Sequence, residues 1–203
     1  MTKKQQIEQA YQFMLQAYAT TVFLVELDRC KFLNSDFYEE KLLFKDDFIK
    51  NEVLPKIGIG NLGAFAMFLY ALLVLPYEIR GKIDKFLGEN PENWQSSKKI
   101  LDNAYVKINT DLKSSSYESS YNYDKNGGEV NFVYHIRNAT SHGHLSHDQS
   151  KKIFRFKDTK RSEEFWTEIS AEDFKEKFFN PLLIANREFL ISLKKLIDTL
   201  SGE

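Results

Sequence analysis

Hydrophobic positions fall into a helical rhythm from the start of the chain. Ile7, Tyr11, Met14, Tyr18, Val22 and Val25 recur at spacings of four and three, which lays one apolar stripe along a long helix reaching about Phe32. The segment NSDFYEEKLLFKDDFIKNEVL then offers Asn34 or Ser35 as a cap, Glu39 and Glu40 in the early turns and Pro55 beyond the end, the marks of a second helix. From Ile57 to Tyr77 no residue is charged. Gly58, Gly60, Asn61, Gly63 and Pro76 interrupt that run, so its solidly apolar part, about Ala64 to Leu75, is short for a bilayer core. It reads as a buried central helix, stopped or kinked by Pro76 and Gly81, and no membrane partner is expected. A fourth helix, SSKKILDNAYVKINTDL, follows the break at Pro91.

The stretch KSSSYESSYNYDKNGG, about 113–128, has no period and reads as a flexible loop. Its tyrosines suit stacking on unpaired bases, and its composition suits a linker. It leads into a helix from about Glu129 to His142, whose Phe132, Ile136 and Ala139 share the core-facing side. The period then changes: KIFRFKD and EFWTEIS alternate around TKRSE, which predicts a hairpin over about 152–169. Ser170 before AEDF marks a helix start, and Leu182, Ala185, Phe189, Leu193, Leu196 and Leu200 form a last stripe beyond Pro181. The expectation is a single domain, residues 1–203, built as a helical bundle with a small β-hairpin appendage before the C-terminal helix.

A chain of 203 residues with 42% apolar content has enough material for a proper core. Lysine plus arginine (28) nearly balances aspartate plus glutamate (29), so no overall basic field marks a duplex DNA binder. An enzyme that meets RNA in a local pocket remains compatible with that balance. Cys30 is the only cysteine, which excludes an internal disulfide and a four-thiolate zinc site and points to a reducing compartment. The N-terminal MTKKQQIEQAYQF lacks a secretory signal pattern, so the chain is expected to start as mature protein in the cytoplasm.

All four histidines lie within thirteen positions, His135 to His147. His142, His144 and His147, with Asp148, have a spacing that permits a metal, but zinc sites usually also draw ligands from separate elements, so neither metal nor cofactor is expected. On a helical wheel His135, Asn138 and His142 fall on one flank, with His135 toward a dimer surface. Arg137 stands about 140° from His142 at about 100° per residue, so the two do not naturally meet. Either the helix ends at His142, with Gly143 as its cap, or the arginine meets the histidine of a second copy. Histidine moves protons near neutral pH, and a guanidinium suits phosphate oxygens; together they fit metal-free RNA cleavage. Asn138 is placed to hydrogen-bond the His142 ring or to contact the RNA backbone. A blander reading also stands, in which RNATSH is a helix end where Asn138 and His142 satisfy one another and Arg137 is solvated.

The hexapeptide RNATSH, residues 137–142, with its R-x4-H spacing and asparagine after the arginine, resembles the signature of HEPN domains, the higher eukaryote and prokaryote nucleotide-binding superfamily. The resemblance implies an all-α, HEPN-like helical bundle that forms a homodimer through the motif helix. It also implies a metal-independent endoribonuclease of toxin–antitoxin, abortive-infection or antiviral type, with Arg137 holding the phosphate, Asn138 as the polar neighbour and His142 as the catalytic histidine. RNA is the implied partner, with an antitoxin as a further one. The competing implication is a non-catalytic HEPN module that binds nucleotide, RNA or protein. From the residues themselves, His144 and the basic stretch carrying Lys151, Lys152 and Arg155 are the expected RNA contacts.

Overall fold

In the computed structural model, residues 2–30, 62–87, 91–113, 119–121, 130–148, 150–160 and 163–200 are described. The helix expected over Asn34 to Leu54 lies outside them. Helix α1 (Lys3–Arg29) buries Ile7 and Met14 of the anticipated stripe. Helix α2 (Leu62–Leu87) does not stop at Pro76 or Gly81. A π turn at Tyr70–Val74 explains why: the Leu75 N–H reaches back to the Tyr70 carbonyl, and the wider turn makes room for the proline ring. Pro76 has no N–H to offer the Leu72 carbonyl one turn earlier. The Asn186 side chain, almost fully buried, donates to that carbonyl at 2.9 Å instead. A second π turn, Phe174–Phe179, precedes Pro181 in the same manner. Helix α2 is long and apolar enough to cross a membrane, yet half of its most apolar window is buried within the chain.

Helix α3 (Glu92–Lys113) begins directly after Pro91. Strand β1 (Ser119–Tyr121) occupies part of the segment expected to be a flexible loop; most of that segment lies outside the described residues. The motif helix α4 (Phe132–Ser141) is followed by β2 (Leu145–Asp148), β3 (Ile153–Lys160) and β4 (Glu163–Ser170). The expected hairpin is β3–β4, and pairing widens it into an antiparallel sheet of order β1-β4-β3-β2. Ser170 caps the last helix as anticipated, its side chain accepting from Asp173 N–H at 3.1 Å. That helix, α5, runs from Ala171–Asp173 through the π turn into Asn180–Thr199.

The core has two parts. Ile7, Met14, Ile83, Trp94, Leu101 and Phe189 join α1, α2, α3 and α5 into a bundle. Phe65, Ile136, Phe154, Phe156 and Phe174 bury the inner face of the sheet against α2, α4 and the start of α5, with the rings of Phe65 and Phe154 stacked 4.0 Å apart. Alternation along β3 turns Phe154, Phe156 and Asp158 inward. Helix α4 thus lies between bundle and sheet, with Phe132, Ile136 and Ala139 buried as its period predicts.

Candidate functional site

Helix α4 is fastened at both ends. At its start the Asn131 side chain accepts from Tyr134 N–H at 3.0 Å, and Asn109 of α3 donates to Asn131 and accepts from Val133 N–H, each at 3.1 Å. At its end Gly143 takes φ +70, the left-handed conformation that a Cβ disfavours. Its N–H reaches the Thr140 carbonyl at 3.2 Å while His144 N–H reaches Ala139 at 2.8 Å, the Schellman pattern. The helix therefore ends at His142, as one of the two routes required.

On the sheet side, Asp158 Oδ2 receives Asn138 Nδ2 at 3.0 Å and lies 2.9 Å from His135 Nδ1. With the amide donating to that oxygen, Oδ2 is the acceptor and Nδ1 carries the hydrogen. The other end of the Asn138 amide, Oδ1, accepts from Arg137 Nη2 at 2.5 Å and Nε at 3.2 Å. An imidazole, a buried carboxylate, an amide and a guanidinium are thus joined in that order. Two expectations change. Asn138 is engaged by Asp158 and Arg137 rather than by the His142 ring, and His135 is fully buried against Phe165, ring on ring at 4.3 Å, rather than facing a dimer surface.

The free edge of Arg137 faces the opposite way, onto α2 and α3. Its Cζ sits 3.9 Å above the Tyr77 ring and 5.0 Å from that of Tyr134. Nη1 is buried without a hydrogen-bond partner, and no carboxylate pairs with the guanidinium among the described residues. A cleft of about 520 Å³ opens there. Arg80, in the same cleft, is already paired with Asp102 at 2.8 Å. Burial pushes the Asp84 carboxyl up, but hydrogen bonds from Trp94 and Lys98 outweigh it and hold the group below its ordinary value. Burial also drives the Tyr105 phenol up to about 12 against the pull of Arg80 and Arg137.

His142 is exposed, its ring 6.0 Å from that of His144, and among the described residues no hydrogen bond joins its side chain to Arg137. His144 and Arg155 come together in a separate groove of about 620 Å³ on the outer face of the sheet. Arg155 is not a free cation: Glu168 at 2.5 Å and Asp148 at 3.7 Å hold it. Lys151 and Lys152 occupy the β2–β3 turn, and at about 3.3 Å per residue Lys152 stands roughly 20 Å along the strand from Asp158. His147 stacks on Phe154 at 4.4 Å, and among the described residues no group of His, Cys, Asp or Glu side chains converges on a shared metal position.

Sequence reasoning missed Asp158, although a signal was there. The strand period places it on the side of Phe154 and Phe156, and a carboxylate on a core face must have partners. Tyr77 and Arg80 carried no such signal, because their roles follow from the path of α2 past Pro76.

A family model described as HEPN pEK499 p136 matches residues 1–199. The chain belongs to this HEPN family. Neither the curated proteins nor the solved structures compared with it include a significant match. Membership makes the chain a HEPN-type domain, a class that includes ribonucleases and nucleotide binders.

Proposed function

We propose that this HEPN protein is a metal-independent endoribonuclease, acting in the cytoplasm as a toxin, abortive-infection or antiviral effector. The observation that carries this reading is the state of Arg137: a guanidinium held by Asn138, laid on Tyr77, half-buried and with no carboxylate partner among the described residues. A fixed cation without a counter-ion, at the mouth of a cleft, suits a phosphate. In the reaction a base removes the 2′-hydroxyl proton, the O2′–P bond forms, the P–O5′ bond breaks, and an acid returns a proton to O5′. The products are a 2′,3′-cyclic phosphate and a 5′-hydroxyl end. Arg137 stabilises the charge that builds on the phosphorane oxygens, and His142 moves the proton.

Because no hydrogen bond joins the His142 side chain to Arg137 among the described residues, the reading completes the site with the His142 of a second copy. Two-fold docking also supplies two imidazoles, one as base and one as acid. Most of α4 is buried in its own chain, so the partner meets it along the edge of Tyr134, Arg137, Asn138 and Ser141. His144, with the basic turn beyond it, guides the flanking strand, and an antitoxin would act by covering the Arg137 edge.

The test is cleavage of a mixed RNA in EDTA by wild type, Arg137→Ala and His142→Ala. The expected result is cyclic-phosphate ends that vanish in both variants while fold and dimer persist. Cleavage retained by both would sink the reading. The lack of a side-chain bond between Arg137 and His142 among the described residues favours one other reading, a HEPN module that binds RNA or nucleotide without cutting it. That alternative predicts binding lost in Arg137→Ala and unchanged in His142→Ala.

A further inference from the structure

The cleft beside Arg137 is polarised along its length. Tyr77, Gly81 and Asp84 stand on successive turns of α2, so about 10 Å separates the Tyr77 end from the Asp84 end at about 1.5 Å per residue. At the first end lies Arg137, a cation with no carboxylate partner among the described residues. At the second lie Asp84 and Asp102. Asp84 Oδ1 accepts from Trp94 at 2.7 Å and Lys98 at 2.9 Å, while Asp102 Oδ1 pairs with Arg80 at 2.8 Å. In both residues these contacts fall on Oδ1, and both side chains are partly exposed. At the Arg137 end one face of the Tyr77 ring is covered by the guanidinium, and the residue remains 48% exposed, enough to receive a planar group on the way toward Asp84.

A ligand matching this pattern carries an anion at one end, a flat ring in the middle and hydrogen-bond donors at the other. We propose that the cleft is a subsite for a single nucleotide, its phosphate on Arg137, its base on Tyr77 and its N–H donors directed at Asp84 and Asp102. Guanine fits best, because it presents a ring N–H and an amino group side by side, which two carboxylate oxygens can accept. The cleft volume of about 520 Å³ is in the range of small-ligand sites. The proposal rests on the reading of Arg137 as a phosphate ligand and adds to it a base preference next to the bound phosphate.

Gly81 supplies the decisive variant. It is exposed in the interior of α2 and lines the cleft, and a Cβ there would meet nothing within 4 Å. Gly81→Leu therefore fills the cleft while improving helix propensity. Calorimetric titration of the full chain with GMP, UMP and inorganic phosphate is the measurement, on wild type, Gly81→Leu and Tyr77→Ala. The expected result is GMP binding at least ten times tighter than UMP or phosphate, weakened at least tenfold in both variants, with the melting temperature of Gly81→Leu not lowered. Equal affinity for GMP and phosphate, no GMP binding, or GMP binding untouched by Gly81→Leu would each overturn the subsite. RNA cleavage is scored separately. Loss of cleavage in His142→Ala with a flat GMP titration removes the subsite and keeps the nuclease. GMP binding in the cleft of a protein that cuts no RNA does the reverse.

Discussion

Replacing Asp158 tests whether the α4–β3 network holds the motif in place. The carboxylate is 3% exposed and its Oδ2 serves both His135 Nδ1 at 2.9 Å and Asn138 Nδ2 at 3.0 Å. Asp158→Ala removes the acceptor of one buried donor on His135 and one half-buried donor on Asn138, each loss costing about 1–3 kcal/mol, and opens a small void. Relief from burying a carboxylate offsets part of this. The expected net loss is about 3–5 kcal/mol, a large share of the roughly 5–15 kcal/mol that holds a domain folded. Asp158→Asn keeps the volume and one acceptor oxygen but loses the charge that strengthens both bonds, so it should cost only about 1–2 kcal/mol. Urea denaturation followed by linear extrapolation reads both, with unchanged slopes as the check that the unfolded state is the same. The functional arm uses Asp158→Asn, which should stay folded. Its Arg137 is anchored less firmly through Asn138, so RNA cleavage should fall by about 10–100-fold, as small misplacements of catalytic groups do. An alanine variant within about 1 kcal/mol of wild type, or an asparagine variant as unstable as the alanine one, would refute the account.

Other perturbations separate further parts of the structure. Asn186→Leu strands the buried Leu72 carbonyl and should cost about 1–3 kcal/mol by the same denaturation assay; Pro76→Ala in that background restores a backbone donor and should recover part of the loss. Gly143→Ala forces a side chain into the φ +70 conformation although space is free, so about 1–2 kcal/mol should be lost. Arg137→Lys keeps the charge but loses the fork on Asn138 and the flat stack on Tyr77, and RNA binding measured by filter retention should fall nearly as far as in Arg137→Ala. With the Tyr105 phenol raised from 10.0 to about 12, the unfolded chain ionises first. The resulting stability is complete below about pH 10 and is lost as pH rises toward 12, by about 1.4 kcal/mol near pH 11. Comparing the drop from about pH 8 to about pH 11 in wild type and Tyr105→Phe measures it, and an equal drop in both would count against the shift.

The helical stripes were legible because burial is periodic: Ile7 with Met14, Phe132 with Ile136, and Leu182 through Leu196 all face inward as their spacing requires. The strand status of Leu145–Asp148 was not, since LSHD has no apolar alternation of its own and becomes a strand only by pairing with Ile153–Phe156. The path of α2 escaped for a different reason. Proline normally ends or bends a helix, and the side chain that lets this one continue, Asn186, lies 114 residues further on.

The candidate site divides along the same line between local and distant information. The wheel already separated Arg137 from His142 by about 140°, and among the described residues Arg137 bonds to Asn138 instead. What the wheel could not show is why asparagine follows the arginine. Position 138 faces the sheet, where Asp158 waits on the third inward place of β3, while position 137 faces the cleft between α2 and α3. An amide is the side chain that serves both neighbours at once, donating to a carboxylate at one end and accepting from a guanidinium at the other. Aspartate at 138 would set two carboxylates together in a half-buried place, and leucine would leave Arg137 Nε and Nη2 without their acceptor and Asp158 with His135 alone of its two bonds. The asparagine therefore holds Arg137 in position without neutralising it, and an arginine kept charged and fixed is what a phosphate site beside the cleft requires.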